Sequence, residues 1–186
     1  DAPLEVLVGP FEDVDLGSRQ FDLAVSGTAF HWVPIDVGLA RAAGALRRGG
    51  SLALWWTVFG DPDRPDPFHE AIQPLLAAKA PELTFEVAQS GAPTGAHPHA
   101  LDVEARTAEI DRCGEFGPVE FDVIPWTGRH TAEEIRRMFS TFSNWIAVES
   151  PRREELLDGL RAIAENEFDG LVERPYLTAI YTAKRL

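Results

Sequence analysis

The chain has 186 residues, of which 45% are hydrophobic and 25% are charged, and its formal net charge is -13 at pH 7. These values are typical of one globular domain, and no apolar run approaches the length that crosses a bilayer. Because the net charge repels phosphate backbones and anionic lipids, we expect no nucleic-acid and no membrane partner. The single cysteine, Cys113, excludes an internal disulfide and favours a cytoplasmic location.

The first candidate elements lie close together near residue 1. Leu4 to Val8 has the composition of a short strand, and Gly9 and Pro10 after it predict a turn. We therefore expect a strand at 4–8 followed by an irregular loop.

The stretch from Phe21 to Thr57 has the pattern of one βαβ unit. Apolar runs at 21–25 and 52–56 predict strands, and residues 36–48 between them predict a helix that Asp36 caps and that Gly49 and Gly50 end. Both runs are apolar on both faces, which is typical of parallel strands covered by helices on each side. A right-handed crossover then places the turn after the first strand at the carboxyl edge, where open α/β sheets bind ligands.

The remaining elements follow from caps, turns and periodicity. We predict a helix from Pro67, capped by Asp66, to Lys79; a loop at 89–99; a helix from Asp102 to Cys113, ended by Gly114; a strand at 118–125; a helix behind the Thr131 to Glu134 capping box; a helix starting at Ser150 and Pro151; and a strand at 175–184.

Two histidines raise the question of a metal. His97 and His99 stand two residues apart, so both could reach one ion from an extended segment. No cluster of Cys, Asp or Glu completes a coordination shell nearby, and a solvated loop explains the pair as well. We predict no metal site.

Several stretches together resemble a known family. FDLAVSGTAFHW and LRRGGSLALWW are similar to the fourth strand, its loop and the fifth strand of class I S-adenosylmethionine-dependent methyltransferases, in the methyltransferase type 11 branch that includes trans-aconitate methyltransferase-like proteins. TAEEI, STFSNW and YLTAIYTAK extend the resemblance through the tail. It implies a single α/β Rossmann-like domain with a lid-like insertion at about 59–100. The last strand is expected between the strands at 50–57 and 118–125, antiparallel to both.

The resemblance also implies a cofactor and its contacts. S-adenosylmethionine is expected to place its adenine near Gly9 and Phe11, with Phe11 stacked on the ring. Many relatives carry an acidic residue where this chain has Pro10, which cannot accept the hydrogen bond from the adenine amino group. The small residues Ser26, Gly27 and Thr28 are expected to contact the amino-acid or sulfonium region.

Two family features have no counterpart in the sequence. The glycine-rich cofactor loop after the first strand and the acidic residue ending the second strand are both missing, and the chain begins almost at the third strand. We therefore interpret it as the C-terminal part of a methyltransferase domain that lacks the N-terminal strands. Sheet edges left open in this way favour a homodimer. The alternative to an enzyme is a truncated or degenerate relative that binds no cofactor and serves as a dimeric scaffold or is inactive.

The candidate catalytic residue is His31, the only histidine expected at the carboxyl edge. It could accept a proton from a small-molecule substrate, or it could simply hold the loop through a backbone hydrogen bond. Trp32, Trp126 and Trp145 are predicted to line the substrate side. Phe142 could line the same side, but aromatic residues at helical or strand spacing usually belong to the core. We therefore expect Phe142, Trp55 and Trp56 in the core.

Overall fold

A βαβ unit opens the sheet. The structure, a computed structural model, describes residues 4–16, 21–83 and 99–186. Strand β1 (Phe21–Gly27) is followed by helix α1 (Ile35–Ala45) and strand β2 (Leu46–Phe59). The two strands pair in parallel, with Leu23 opposite Ser51. The predicted βαβ unit is therefore confirmed.

Helix α1 ends earlier than its sequence predicted. Leu46 already has extended backbone, with φ of -83° and ψ of 138°, and it pairs with Phe21. The predicted stop at Gly49 and Gly50 is therefore wrong, because pairing with β1 draws these residues into β2. The predicted cap is wrong as well: Pro34 occupies the N-cap position, and Asp36 lies in the first turn.

The remaining elements of the described residues are two further strands and five helices. They are α2 (Pro67–Lys79), α3 (Val103–Cys113), β3 (Glu120–Thr131), α4 (Ala132–Phe139), α5 (Ser143–Ile146), α6 (Ser150–Glu167) and β4 (Leu171–Lys184), with short 3-10 turns at Phe30–Trp32, Pro81–Leu83 and His99–Leu101.

The strand order is β1-β2-β4-β3. Gly49 N donates to Arg185 O at one end of the β2 and β4 pair, and Gly60 N donates to Pro175 O at the other, so the two strands run in opposite directions. On the far side, Phe116 before β3 forms an antiparallel bridge with Arg185 after β4. The predicted place of the last strand, between two others and antiparallel to both, is confirmed.

Local sequence signals set the ends of three helices. The Asp66 carboxylate caps α2, as predicted, and the Asp102 carboxylate caps α3. Thr131 and Glu134 bond reciprocally in the predicted capping box of α4. Gly114 ends α3 with φ of +70°, a backbone conformation that glycine adopts without strain.

Residues 4–8 do not form the predicted strand. Their backbone takes part in no sheet, and their apolar side chains are exposed. A strand is stable only when a neighbour takes its backbone hydrogen bonds, and β1, one edge of the described sheet, pairs with β2 and not with this segment. The prediction of a strand here is therefore wrong.

Strand β1 also differs from its prediction. Leu23 and Val25 are 55% and 57% exposed, although both faces were expected to be covered. Its place at the end of the strand order explains this, since within the described residues only β2 adjoins it in the sheet. The apolar character of β1 thus lies open to solvent.

The chain divides into two compact units. The first comprises residues 1–57, 100–123 and 178–186, and the second residues 58–99 and 124–177. The core of the first includes Leu39, Leu52, Leu54, Trp56, Ile110 and Tyr181. The core of the second includes Phe68, Ile72, Phe139, Trp145, Leu160 and Val172. Residues 84–98 of the expected lid segment at 59–100 lie outside the described residues, and the role of the segment stays a prediction. Across the described ranges, no helix has both the length and the apolar character needed to span a membrane.

Candidate functional site

The turn after β1 is fixed to β2. Thr28 N donates to Trp55 O at 2.7 Å, and Thr28 Oγ1 accepts from Thr57 N at 3.2 Å. Thr28 has φ of +50°, which is strained for a β-branched residue. Strain of this kind persists only where surrounding bonds enforce it, and it is common at functional sites.

The small residues of this turn lie where the sequence placed them. Ser26 is half-buried, and Gly27 and Thr28 are exposed. A methyl group added at Gly27 would lie 2.7 Å from ring atoms of Trp55, so only glycine fits against that indole. No local pattern predicts this packing role of Gly27. Trp55, which was expected in the core, is half-buried beside the strand end.

His31 is exposed and is held by a neighbouring strand. Trp56, only 6% exposed, donates from Nε1 to His31 Nδ1 at 3.1 Å. The exposed Trp32 ring lies 5.0 Å from the His31 ring, centroid to centroid. The alternative in which His31 holds the loop thus gains a defined partner, a side chain on β2, while its catalytic role stays a prediction.

The loop after residue 8 is attached to α1 by one arginine. Arg41 Nε donates to Phe11 O at 2.8 Å, and Arg41 Nη2 donates to Val14 O. The Arg41 guanidinium carbon also lies 5.7 Å from the centroid of the Phe11 ring. Phe11 therefore has a fixed position, whereas Gly9 is exposed at the start of the loop.

Beside this loop lies an open cleft of about 400 Å³, lined by Asp13, Val14, Asp15, Leu16, Arg41, Gly44 and Ala45. Its size is in the range of small-molecule sites. The carboxylates of Asp13 and Asp15 can accept hydrogen bonds from amino or hydroxyl groups. Sequence reasoning singled out neither residue as lining a cleft, although an acidic residue after the loop glycine was the expected signal.

Trp126 and Trp145 lie in the second unit in different environments. Trp126 is 40% exposed and packs on Tyr176, with 4.6 Å between ring centroids. Trp145 is 0% exposed and packs on Phe139 at 5.1 Å. The structure thus gives Trp145 a packing position, and Trp126 has an open surface that a substrate could contact.

A histidine that sequence reasoning passed over pairs with Tyr176. The Tyr176 hydroxyl and His130 Nε2 lie 3.0 Å apart. Burial, reinforced by the charge of Arg174, lowers the pKa of His130, and burial raises the pKa of Tyr176. We therefore expect His130 to be neutral near pH 7.

Metal-binding geometry is not found in the described ranges. No three His, Cys, Asp or Glu side chains come together there as a metal would require. His99 begins a 3-10 turn, and His97 lies outside the described residues.

Neither a family model nor a curated protein matches the sequence. Solved structures do match. A protein assigned as a type II methyltransferase from Anaeromyxobacter dehalogenans aligns with a TM-score of 0.56 at 16% identity, over 96% of this chain and 70% of its own. A protein assigned as a methyltransferase of an antibiotic biosynthesis pathway, from Anabaena variabilis, aligns with a TM-score of 0.53 at 14% identity, over 97% of this chain and 72% of its own.

The chain has the class I methyltransferase fold. The Rossmann-like fold predicted from the sequence is confirmed. A further match is phosphoethanolamine N-methyltransferase 2 of Haemonchus contortus in complex with phosphomonomethylethanolamine and S-adenosylhomocysteine, with a TM-score of 0.43 and 13% identity. That match covers 96% of this chain but 36% of the Haemonchus contortus protein, so this chain spans about a third of the length of that protein.

Proposed function

We propose that the chain belongs to a cytoplasmic enzyme that transfers a methyl group from S-adenosylmethionine to a small molecule. The observation that carries the proposal is the carboxyl end of β1 in a methyltransferase fold. There the strained, exposed turn at Thr28 leads directly to His31, and both are hydrogen-bonded to β2. When bound, the cofactor would supply a methyl group activated by its sulfonium.

The residues present fit the adenosine part of this cofactor. The cleft beside α1 has a suitable size, and its Asp13 and Asp15 carboxylates can accept hydrogen bonds from the adenine amino group or the ribose hydroxyls. We assign stacking on the adenine ring to Phe11, whose backbone oxygen accepts from Arg41 Nε. We assign Gly9 to the approach to the ring, and Ser26, Gly27 and Thr28 to the amino-acid part.

We assign the substrate side to exposed aromatic rings. Trp32, exposed beside His31, would offer an aromatic surface to a small and partly apolar substrate. The predicted substrate contacts of Trp126 and Trp145 stay predictions, and the buried Trp145 would need to move to meet a ligand.

Calorimetric titration of S-adenosylhomocysteine into the 186-residue chain tests the proposal. We expect micromolar binding that weakens on the order of tenfold or more in the double variant Asp13→Asn and Asp15→Asn, since each change removes a charged acceptor. Glu12→Gln is the matched control, because Glu12 lies in the same loop but does not line the cleft. An absence of heat and of any thermal shift would contradict cofactor binding by this chain.

A second candidate function, a non-catalytic dimer, is favoured by the exposed strand β1. An edge strand offers unpaired backbone groups, and Leu23 and Val25 add apolar side chains to that edge. We assign the edge to a second copy of this chain, paired strand to strand.

Sedimentation tests this second candidate. Val25→Lys should shift a dimer toward monomer, whereas Val37→Lys, on the exposed face of α1, should leave it unchanged. A native chain that sediments as a monomer at all accessible concentrations contradicts the dimer.

A further inference from the structure

His31 follows the carboxyl end of β1, and one of its ring nitrogens, Nδ1, has a defined hydrogen-bond donor. Trp56 Nε1 lies 3.1 Å from His31 Nδ1. An indole N–H donates and never accepts, so Nδ1 must present its lone pair to Trp56. A neutral imidazole carries one proton, which therefore sits on Nε2.

The donor that fixes this tautomer has little freedom to move. Trp56 lies in β2, is 6% exposed, and meets the Tyr181 ring edge to face at 6.0 Å. Tyr181 is itself buried, and its hydroxyl donates to Ala100 O at 2.8 Å. The indole direction is thus set by the core of the first unit, and His31 follows it.

This geometry conflicts with proton abstraction by His31. Nε2 already carries a proton, so the ring could take a second one only at Nδ1, which faces the indole N–H. A general base must instead present an unprotonated nitrogen to the proton that it removes.

We propose that His31 acts as a hydrogen-bond donor through Nε2, positioning an oxygen atom of the bound small molecule, and not as a general base. The role of His31 in methyl transfer rests on the proposed function, whereas the assignment of its tautomer does not. In the transfer, a lone pair of the acceptor forms the bond to the methyl carbon as the carbon–sulfur bond breaks, and no proton passes to His31. The acceptor atom must then reach the site already unprotonated.

The tautomer is tested by NMR on the native chain labelled with ¹⁵N histidine and tryptophan. We expect the His31 pattern of an Nε2–H imidazole. We also expect the Trp56 indole proton to exchange at least about tenfold more slowly than that of the exposed Trp32. Trp56→Phe should loosen the preference and mix the tautomers. An Nδ1–H ring, or a Trp56 indole that exchanges as fast as Trp32, overturns the proposal whatever the chain catalyses.

The role in transfer is tested with three variants and labelled S-adenosylmethionine, assayed against pooled small-molecule acceptors. In His31→Gln the amide nitrogen replaces Nε2, so the rate of methyl transfer should stay within about tenfold of native with the same pH profile. His31→Asn and His31→Ala lack that donor, and their rates should fall on the order of a hundredfold. A His31→Gln variant as slow as His31→Ala contradicts the donor role. If NMR shows the Nε2–H tautomer but the assay detects no methyl transfer to any acceptor, the result supports the donor assignment. It then counts against the proposed function alone.

Discussion

Asp66 accepts two hydrogen bonds from the guanidinium of Arg174, at 2.9 Å from Nε and 2.7 Å from Nη2. Arg174 is 1% exposed, and its charge lies among aromatic rings, 5.7 Å from the centroid of Phe139 and 5.8 Å from that of Tyr176. The other carboxylate oxygen of Asp66 caps α2 by accepting from His69 N. One carboxylate thus neutralises a buried cation and starts a helix.

Asp66→Ala should therefore lower the free energy of unfolding by more than the loss of a helix cap alone would. It removes the cap, worth about 1 kcal/mol, and leaves Arg174 charged and buried without its partner, which costs about 3–5 kcal/mol. Asp102→Ala is the matched control, because Asp102 caps α3 in the same way, accepting from Ala105 N at 3.1 Å. It should cost about 1 kcal/mol. Urea unfolding of both variants measures the difference, and equal losses would refute the role of the ion pair.

Gly128→Ala should destabilise the second unit by overpacking. A methyl group at residue 128 would lie 2.5 Å from Tyr176 Cε2 and 2.6 Å from His130 Nε2. Displacing this hydrogen-bonded pair should cost about 1–3 kcal/mol. In Gly44→Ala the added methyl meets no atom within 4 Å, and in helix α1 it should be neutral or stabilising by up to about 1 kcal/mol. The midpoints of thermal unfolding should move in opposite directions, and parallel shifts would contradict the prediction.

Stability should fall as the solution is acidified below neutral pH. Burial lowers the pKa of both His130 and His69 below the ordinary value of 6.5. Between the lowered pKa and 6.5 the unfolded chain binds more protons than the folded one, so the stabilisation is complete above 6.5 and is lost as the pH falls through that interval. Free energies of unfolding measured from pH 8 to pH 5 should show this decline.

Replacement of the two histidines provides the control for that decline. His130→Gln should flatten the pH dependence, and adding His69→Gln should flatten it further, because neither amide titrates. Above pH 7.5 the free energy of unfolding of each variant should differ from that of the native chain by an amount that does not change with pH. A decline of unchanged steepness in the double variant would assign the pH dependence to other groups.

The tryptophans of the second unit should differ sharply in their contribution to stability. Trp145→Ala empties a fully buried position and should cost about 3–5 kcal/mol. Trp126→Ala removes a 40% exposed ring that packs on Tyr176, at a cost of about 1 kcal/mol. Chemical denaturation followed by circular dichroism compares the two, and similar losses would contradict the distinction between core and surface.

The candidate site could be predicted in part. The sequence placed Ser26, Gly27, Thr28 and His31 together at the end of β1, because a βαβ pattern brings that turn to the carboxyl edge. It missed the cleft beside α1, since nothing local connects Arg41 with Phe11, 30 residues away. An acidic loop facing a helical arginine is a signal that becomes visible only once the two segments are in contact.

By itself the sequence determined the features that depend on neighbours a few residues apart. The bounds of α2, the end of α3 at Gly114 and the capping box of α4 follow from caps, breakers and periodicity that act within a turn or two. The fold class follows from the longer βαβ pattern together with the family resemblance.

Only the tertiary structure decided which groups meet across the chain. Strand pairing moved the start of β2 to Leu46, and the place of β1 in the strand order left its apolar residues exposed. The Asp66 and Arg174 pair joins residues 108 positions apart, and the Trp56 bond that sets the His31 tautomer spans 25. The physical reason is that side-chain charge, burial and tautomer depend on the atoms packed around a group, and those atoms come from segments whose distance in space local propensity does not encode.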